Sequence, residues 1–405
     1  MKKNLPLLPI ESSLLAKYII GVSSISFFEG DLQKSKAFIE ERFKNVCELN
    51  PWLLGRLIDK KSSDLLVLEY DEEIRDEILN KALHYNSKNS NLKINSKMDY
   101  ETILKQTAPY LVQNPKTIIN TDALVSALVF QPLEDKANEF AMIFSLSHSI
   151  VDGHSYYKIL NMLFADEKII ALNVERKSNL STKLKEAVSL SSYNYFASFA
   201  HVGNALRGSI FAKKSRASAY YIDDDKINRA KSQKIDTLPF VSSNDIITSG
   251  FFSLIGARVG FMAVNFRDKI KGLVQEDAGN YEGAILYDKE IYSSPSLIRK
   301  YLSQGIPYPT TSRPLPQFLE ALFCKLGLIS NWSSFAKELR VGNAKQVLHL
   351  PLLGNISYSP YDVCIIFRAN KDKKGIVLIH KNLSQREILS AIPLNSLEIK
   401  YSARL

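Results

Sequence analysis

The 405-residue chain is poor in cysteine and histidine and has few glycines for its length. Its three cysteines, Cys47, Cys324 and Cys364, lie far apart, which excludes a disulfide framework and a cysteine-rich zinc site. A reducing compartment such as the cytoplasm is the simplest interpretation. The basic residues at the N-terminus are not followed by an apolar run, and Pro6 and Pro9 interrupt the stretch, so the sequence predicts no signal peptide.

Nucleic-acid motifs and internal repeats are also missing. No Cys/His finger, Gly-rich aromatic RNA motif or continuous basic helix is visible, so we expect no nucleic-acid partner. The net charge of +10 is therefore compatible with an anionic membrane, a phosphorylated small molecule or solubility alone. One stretch, 246–264, is long and apolar enough to resemble a membrane span. Arg258 and the glycine and serine content favour a buried helix that runs into a buried strand.

The composition, with 45% apolar and 23% charged residues, is that of a globular protein with a large core. The patterns alternate between helix and strand and indicate an α/β fold. We divide the chain into an N-terminal half, 1–182, a basic crossover segment, 183–234, and a C-terminal half, 235–405. Helices are predicted over 31–49 and 154–164 and from 242 onward, a helical apolar stripe between 315 and 323, and strands over 64–70, 139–147, 259–267, 362–367 and 375–380, the last two forming a hairpin.

The crossover segment 183–234 contains ten Lys/Arg and four Asp/Glu, and we expect it to be partly helical over 193–211. Two interpretations stay open. The segment is either a solvated linker with an apolar-faced helix, or a surface that attracts an anionic cofactor or, through 187–212, lipid headgroups.

The most informative segment is 147–154, which contains His148, Asp152 and Gly153 in the pattern His-x-x-x-Asp-Gly. It lies where a buried strand ends and a helix begins, so the turn can hold the imidazole toward a cleft, and glycine permits unusual backbone angles there. A neutral imidazole can take a proton from a hydroxyl or amine that attacks a carbonyl.

The motif also allows two other interpretations. A Ser-His-Asp triad is disfavoured because the chain has no Gly-x-Ser-x-Gly elbow. We interpret Asp152 instead as structural, paired with an arginine from elsewhere. In the second interpretation, His148 lies at a strand end and has no chemical role, and Asp152 caps the next helix.

The motif resembles that of the chloramphenicol acetyltransferase-like superfamily, and the closest likeness is to the CoA-dependent BAHD acyltransferases. Further stretches resemble the family in the expected order, whereas 339–345 departs from the family's Asp-Phe-Gly-Trp-Gly. The similar stretches are Leu49–Leu57, Ser242–Asp245, Val264–Arg267 followed by Gly279-Asn280, and Ile329–Trp332.

The resemblance implies two similar α/β halves, each a mixed sheet flanked by helices, with a tunnel between them. It implies that His148 is the general base and that Ser330 donates a hydrogen bond to the oxyanion of the tetrahedral intermediate. Trp332 is expected to pack beside Ser330. The other alternative for Ser330 is an ordinary serine at a helix start.

The resemblance also assigns supporting roles to Arg267 and Gly153. Arg267 is expected to form a salt bridge with Asp152 and so to fix the turn, unless it is a surface arginine at a strand end. Gly153 is expected to be required by the backbone. His84, His154, His201, His349 and His380 carry no motif and are interpreted as structural.

The implied donor is acyl-CoA, used as a co-substrate, with no tightly bound cofactor and no metal. Lys213, Lys214 and Arg216 are candidate contacts to its phosphates. The implied product is an ester or amide of a small-molecule acceptor, made by a monomer. A carrier-protein- or lipid-dependent acyltransferase or condensation enzyme, and a non-catalytic binding protein of the same fold, remain alternatives.

Overall fold

The computed structural model describes residues 1–14, 16–19, 21–60, 63–86, 90–95, 97–164, 166–211, 214–233, 239–308, 311–354 and 359–399. The strands are β1 (Lys2–Pro6), β2 (Val22–Glu29), β3 (Arg56–Asp59), β4 (Leu66–Asp71), β5 (Leu83–Tyr85), β6 (Ser126–Pro132), β7 (Glu139–Leu146), β8 (Arg216–Ile222), β9 (Val259–Asn265), β10 (Glu282–Tyr287), β11 (Leu326–Asn331), β12 (Arg340–Val341), β13 (Ala344–Leu352), β14 (Asp362–Arg368), β15 (Lys374–His380) and β16 (Leu394–Glu398). The α-helices are α1 (Pro9–Ser12), α2 (Leu32–Leu49), α3 (Asp76–Ala82), α4 (Tyr100–Thr107), α5 (Pro115–Ile118), α6 (Gly153–Phe164), α7 (Leu180–Ala187), α8 (Leu190–Ala197), α9 (Phe199–Phe211), α10 (Asp224–Ser232), α11 (Ser243–Ile255), α12 (Lys289–Tyr292), α13 (Pro295–Leu302), α14 (Phe318–Phe323) and α15 (Gln385–Ala391).

One large sheet of the described residues has the strand order β12-β13-β2-β7-β6-β5. It is mixed, because β5 and β6 are parallel while the other neighbours are antiparallel. The central strand β7 is buried along its whole length, as its continuous apolar run predicted. Helices α2 and α6 cover the outer face of this sheet with apolar side chains such as Phe43 and Leu160.

The second large sheet has the strand order β10-β9-β11-β14-β15-β8-β16. β9, β11 and β14 are parallel to each other, and the remaining neighbours are antiparallel. The predicted hairpin is confirmed as β14 and β15. Helices α11, α13 and α15 cover the outer face, with Phe251, Ile298 and Ile388 in that core.

The inner faces of the two sheets pack against each other and share a core. Ile25 and Ile143 come from one sheet, and Ile365 and Val377 from the other. Because each sheet has helices on one side and the other sheet on its second side, its central strands are buried on both faces. The predicted α/β fold of two halves, each with a mixed sheet flanked by helices, is confirmed.

The first sheet contains strands from both halves of the sequence. β12 and β13 lie in the C-terminal half, yet β13 pairs with β2 of the N-terminal half. The segment 339–345, which departs from the family pattern, forms the β12–β13 hairpin, and Gly342 in its turn has a φ of 59°. Such a φ favours glycine. The predicted boundary between the halves therefore does not coincide with the division between the two sheets. The domain boundaries themselves stay a prediction.

The crossover segment 183–234 contains more structure than a linker would have. It includes most of α7, then α8, α9, the inner strand β8 and α10, so the expected helical region is present and is interrupted at Ser198. The predicted helical stripe over 315–323 is present in part. Only α14 is helical there, and Phe318 and Leu319 are 84% and 71% exposed.

The apolar stretch 246–264 is the buried helix and strand that the sequence predicted. Helix α11 ends at Ile255, Gly256 follows with a φ of 60°, and β9 begins at Val259. A left-handed glycine is a common end for a helix because it lacks Cβ. Within the described ranges, we find no helix with the length and apolarity to span a bilayer.

Candidate active site

The His-x-x-x-Asp-Gly motif forms the turn between β7, which ends at Leu146, and α6, which begins at Gly153. The His148 side chain is 27% exposed, so solvent reaches the imidazole. The Asp152 side chain accepts a hydrogen bond of 2.8 Å from the Ser155 amide, as a helix N-cap does. The alternative interpretation of Asp152 as a cap is therefore correct in geometry.

Asp152 also forms the ion pair with Arg267 that the resemblance implied. The guanidinium donates to both carboxylate oxygens, Nη1 to Oδ2 at 2.7 Å and Nη2 to Oδ1 at 3.3 Å, and neither side chain is more than 1% exposed. Arg267 additionally donates to Ser155 Oγ at 2.8 Å and to the Gly279 carbonyl at 3.0 Å. Such a satisfied bidentate pair holds the turn in one geometry.

The electrostatics of Asp152 follow from this pair. Burial alone would raise the pKa of Asp152, but the Arg267 guanidinium, its hydrogen bonds and the Ser155 amide outweigh burial and hold the pKa below its ordinary value. The carboxylate is therefore ionised at neutral pH and carries no proton that could take part in chemistry.

A second buried ion pair braces the turn, and sequence reasoning missed it. Glu11 accepts from Arg176 Nε at 2.9 Å and from the Asn280 amide at 2.9 Å. Arg176 Nη2 in turn donates to the Ile150 carbonyl at 3.0 Å, and Asn280 Nδ2 donates to the His148 carbonyl at 2.8 Å. Asn280 belongs to the Gly-Asn pair noted in the sequence, but nothing near Glu11 or Arg176 signals this role.

Glu282, at the start of β10, faces the imidazole and was also missed. Its Oε1 lies 3.8 Å from His148 Nε2, and its side chain is 32% exposed. Burial raises the pKa of Glu282 to about 6, against the opposing effect of the His148 charge. In the sequence, only its position two residues after Asn280 could have indicated this role. Asn280 donates to the His148 carbonyl.

Ser330 and Trp332 come from the end of β11 and the residue after it, so the alternative of a helix-start serine is wrong. The expected packing is present, because Trp332 Nε1 donates to Ser330 Oγ at 2.9 Å. The Ser330 oxygen therefore acts as an acceptor toward the indole, and its own O–H remains able to donate elsewhere.

Gly153 is favoured here for a different reason than the sequence suggested. It is not among the residues with positive φ. A Cβ at this position would lie 3.1 Å from Trp332 Nε1, which is tighter than ordinary contact. The glycine thus lets the indole from the second sheet approach the first turn of α6.

Of the three basic residues proposed as phosphate contacts, Arg216 lies well away from Ser330 in the second sheet. Lys213 lies outside the described residues, and Lys214 and Arg216 are exposed. Across the sheet, Ser330 of β11 is in register with Ala219 of β8, which is three strands away. Arg216 precedes Ala219 by three residues along β8. Strand spacing puts Arg216 roughly 17 Å from Ser330. The assignment of these cations to the donor stays a prediction.

A cavity of about 480 Å³ lies where α6 meets loops of the C-terminal half. Asn265, which pairs with Glu282 in the β9–β10 register, contributes to one wall. Lys158, Lys168 and Lys337 line it as well, whereas His148 is not one of the described lining residues. The cavity is thus cationic and adjoins the Glu282 side of the turn. A tunnel that passes His148 stays a prediction.

No protein-family model and no curated protein sequence matches this chain. Solved structures do match it over nearly the whole length. TRI101 of F. graminearum complexed with coenzyme A and deoxynivalenol is 10% identical, with a TM-score of 0.63 and 96% of each chain covered. Polyketide synthase associated protein 5 from Mycobacterium tuberculosis is 12% identical, with a TM-score of 0.63 and 97% of each chain covered. The chain has a BAHD-type acyltransferase fold.

Vinorine synthase extends the same likeness, with 12% identity, a TM-score of 0.62 and coverage of 99% of this chain and 95% of its own. The BAHD-type fold is therefore retained although only about one residue in ten is shared. At such identity the likeness concerns the fold, and the site must be argued from its own geometry.

Proposed function

We propose that this chain is an acyltransferase that moves an acyl group from acyl-CoA to a hydroxyl or amine of a small molecule, with His148 as general base. The observation that carries the proposal is a partly exposed imidazole on a turn that the buried Asp152–Arg267 pair fixes. The BAHD-type fold and the coenzyme A in the F. graminearum TRI101 structure support it.

In this mechanism His148 removes a proton from the acceptor as the acceptor attacks the thioester carbonyl. The tetrahedral intermediate carries an oxyanion, to which the free O–H of Ser330 donates. The intermediate then breaks its C–S bond, and the imidazolium returns the proton to the thiolate. Asp152 and Arg267 touch neither reactant and act as positioning residues.

The cationic cavity supports coenzyme A as the carrier of the acyl group. Lys158, Lys168 and Lys337 present ammonium groups to a space next to Asn265, and phosphates prefer such groups. Glu276 pairs with Lys158 and Glu167 pairs with Lys337. Because three lysines face two glutamates, this group of side chains keeps a positive net charge. Replacing Lys158 and Lys337 by alanine is expected to raise the KM for acyl-CoA, with kcat retained and the effect smaller at high salt.

The decisive test measures free thiol from acyl-CoA in the presence of hydroxyl and amine acceptors. His148→Ala is expected to lower acceptor-dependent thiol release about 10²–10⁴-fold. His84→Ala, an exposed histidine on edge strand β5, serves as the matched control and is expected to leave the rate unchanged. Thiol release that His148→Ala leaves intact would contradict the proposal, and ligand binding without any turnover would favour the binding-protein alternative.

A lipid acceptor is a second candidate, because α9 and α14 share an exposed apolar surface. Phe199 and Leu206 lie seven residues apart on one face of α9. Between them α9 approaches α14 closely, because a Cβ added to Gly203 would lie 2.9 Å from Leu322 Cδ1. Phe318, Leu319 and Phe323 continue this helix-pair surface on α14.

Basic side chains lie beside the helix-pair surface of α9 and α14, and their charge favours an anionic bilayer as its partner. The Arg207 guanidinium lies 5.1 Å from the centre of the Phe323 ring, and Lys325, which pairs with Asp362 at 3.6 Å, is about half exposed. We expect the protein to float with phosphatidylglycerol vesicles and less with phosphatidylcholine vesicles, and Phe318→Ser with Phe323→Ser to abolish flotation. A dimer that the same variants dissociate would instead assign the surface to a second copy and contradict the predicted monomer.

A further inference from the structure

We infer that the acceptor is a primary amine that arrives as an ammonium ion and is held between the Glu282 carboxylate and the His148 imidazole. This inference rests on the proposed function and narrows its substrate class. It is carried by the distance of 3.8 Å between Glu282 Oε1 and His148 Nε2, in a pair of which each side chain is partly exposed.

The distance is too long for a direct hydrogen bond between the two side chains. A nitrogen about 2.8 Å from both atoms fits beside the line that joins them. The start of β10 is tied to the histidine turn beside this pair, because Asn280, two residues before Glu282, donates to the His148 carbonyl. An ammonium or amine has enough N–H bonds to donate to both acceptors at once, whereas a hydroxyl has one hydrogen and serves one of them.

The surrounding charges leave Glu282 available for a cation. Asp152 is bonded to Arg267, and Glu11 is bonded to Arg176. In the described part of the chain, the ion contact of Glu282 is with His148, whose imidazole carries charge only when protonated. The site is therefore negative when His148 is neutral, which favours a cationic acceptor over a neutral alcohol.

Proton balance gives Glu282 a second task. An ammonium must lose two protons to become an amide, while an alcohol loses one to become an ester. The first proton passes to the Glu282 carboxylate and then to water. The nitrogen lone pair forms the N–C bond, the second proton passes to His148 Nε2, the C–S bond breaks, and His148 protonates the thiolate. The products are an amide, the free thiol and one proton.

The test uses acceptors that share a carbon skeleton, phenethylamine and 2-phenylethanol, with acetyl-CoA and octanoyl-CoA as donors. We expect kcat/KM for the amine to exceed that for the alcohol at least about 10-fold. Glu282→Gln is expected to lower kcat/KM for the amine about 30-fold and to change kcat/KM for the alcohol by less than about 2-fold. Glu186→Gln, an exposed glutamate on α7, is the matched control and is expected to change neither.

A binding measurement without donor separates this inference from the proposed function. We expect phenethylammonium to bind the native protein, and Glu282→Gln to weaken that binding about 10-fold or more, with no effect on 2-phenylethanol. Equal losses for amine and alcohol, or a preference for the alcohol, would overturn the amine assignment even if His148→Ala abolishes turnover. Glu282-dependent binding of the ammonium without thiol release from either donor would overturn acyl transfer and keep ammonium recognition.

Discussion

Asp152 and Glu282 are two carboxylates beside the same histidine turn, and the protein holds them in opposite ways. Asp152 is buried and receives two hydrogen bonds from Arg267, whereas Glu282 is 32% exposed and faces His148 across 3.8 Å. Burial disfavours the ionised form of both. The guanidinium reverses that effect for Asp152 and lowers its pKa. Among the described residues Glu282 has no such guanidinium partner, and burial raises its pKa to about 6.

The difference separates positioning from chemistry. A buried charge whose oxygens all accept hydrogen bonds fixes the backbone around it and has nothing left to offer a ligand. A partly exposed carboxylate with unfilled acceptor positions, next to a base, retains the capacity to bind a substrate.

The largest effect is expected for Asp152→Ala. Because Arg267 would remain as an uncompensated buried charge, the free energy of unfolding should fall by about 3–5 kcal/mol, together with the rate of thiol release. Denaturant unfolding and the thiol assay measure the two. Asp166→Ala, in an exposed ion pair with Arg340, is the control and should cost less than about 1 kcal/mol. Loss of rate at unchanged stability would give Asp152 a direct chemical role and end the contrast.

A middle-sized effect is expected for Gly153→Ala. The added Cβ would press on the Trp332 indole, which lies 3.1 Å away, and overpacking of this kind costs about 1–3 kcal/mol. Since that indole donates to Ser330, kcat should fall more than KM changes. Combining Gly153→Ala with Trp332→Phe should recover part of the stability in a double-mutant cycle. Strict additivity would show that the contact is not responsible.

The smallest and most discriminating prediction concerns pH. The folded pKa of Glu282 is raised from its ordinary 4.5 to about 6, so its contribution to stability is complete below pH 4.5 and is lost as pH rises through 6. Glu282→Gln should therefore be more stable than the native protein at pH 8, by no more than about 1 kcal/mol after screening, and equal to it near pH 4.5.

Asp152 should show the opposite sign. Its folded pKa is lowered, so its contribution is present above the ordinary Asp value and is lost as pH falls through the folded pKa. The cost of Asp152→Asn should therefore shrink in acid. His148, Asp152 and Arg267 all act on the Glu282 carboxyl, so the Glu282 series is repeated with His148→Ala. Parallel pH profiles for the two variants would contradict the comparison.

The local features of the site could be predicted because they depend on residues close in sequence. An apolar strand followed by His-x-x-x-Asp-Gly and an apolar helical stripe predicts a turn that presents His148. Arg267 lies 115 residues after Asp152, and only the family resemblance connected them. The stripe over 315–323 predicted a helix and α14 is one, but periodicity indicates only that one face is apolar and not whether another element covers it.

Local patterns of apolar and turn-forming residues are enough to predict the α/β class, the continuous burial of β7, the change from helix to strand within 246–264 and the position of the histidine turn. Four other features become visible only in the folded chain: β13 joins the N-terminal sheet, Glu11 and Arg176 brace the turn, Trp332 packs close to Gly153, and Glu282 faces the imidazole. These features are contacts between residues that are distant in the sequence. Burial and charge depend on distances in space, and the number of residues between two positions does not give that distance.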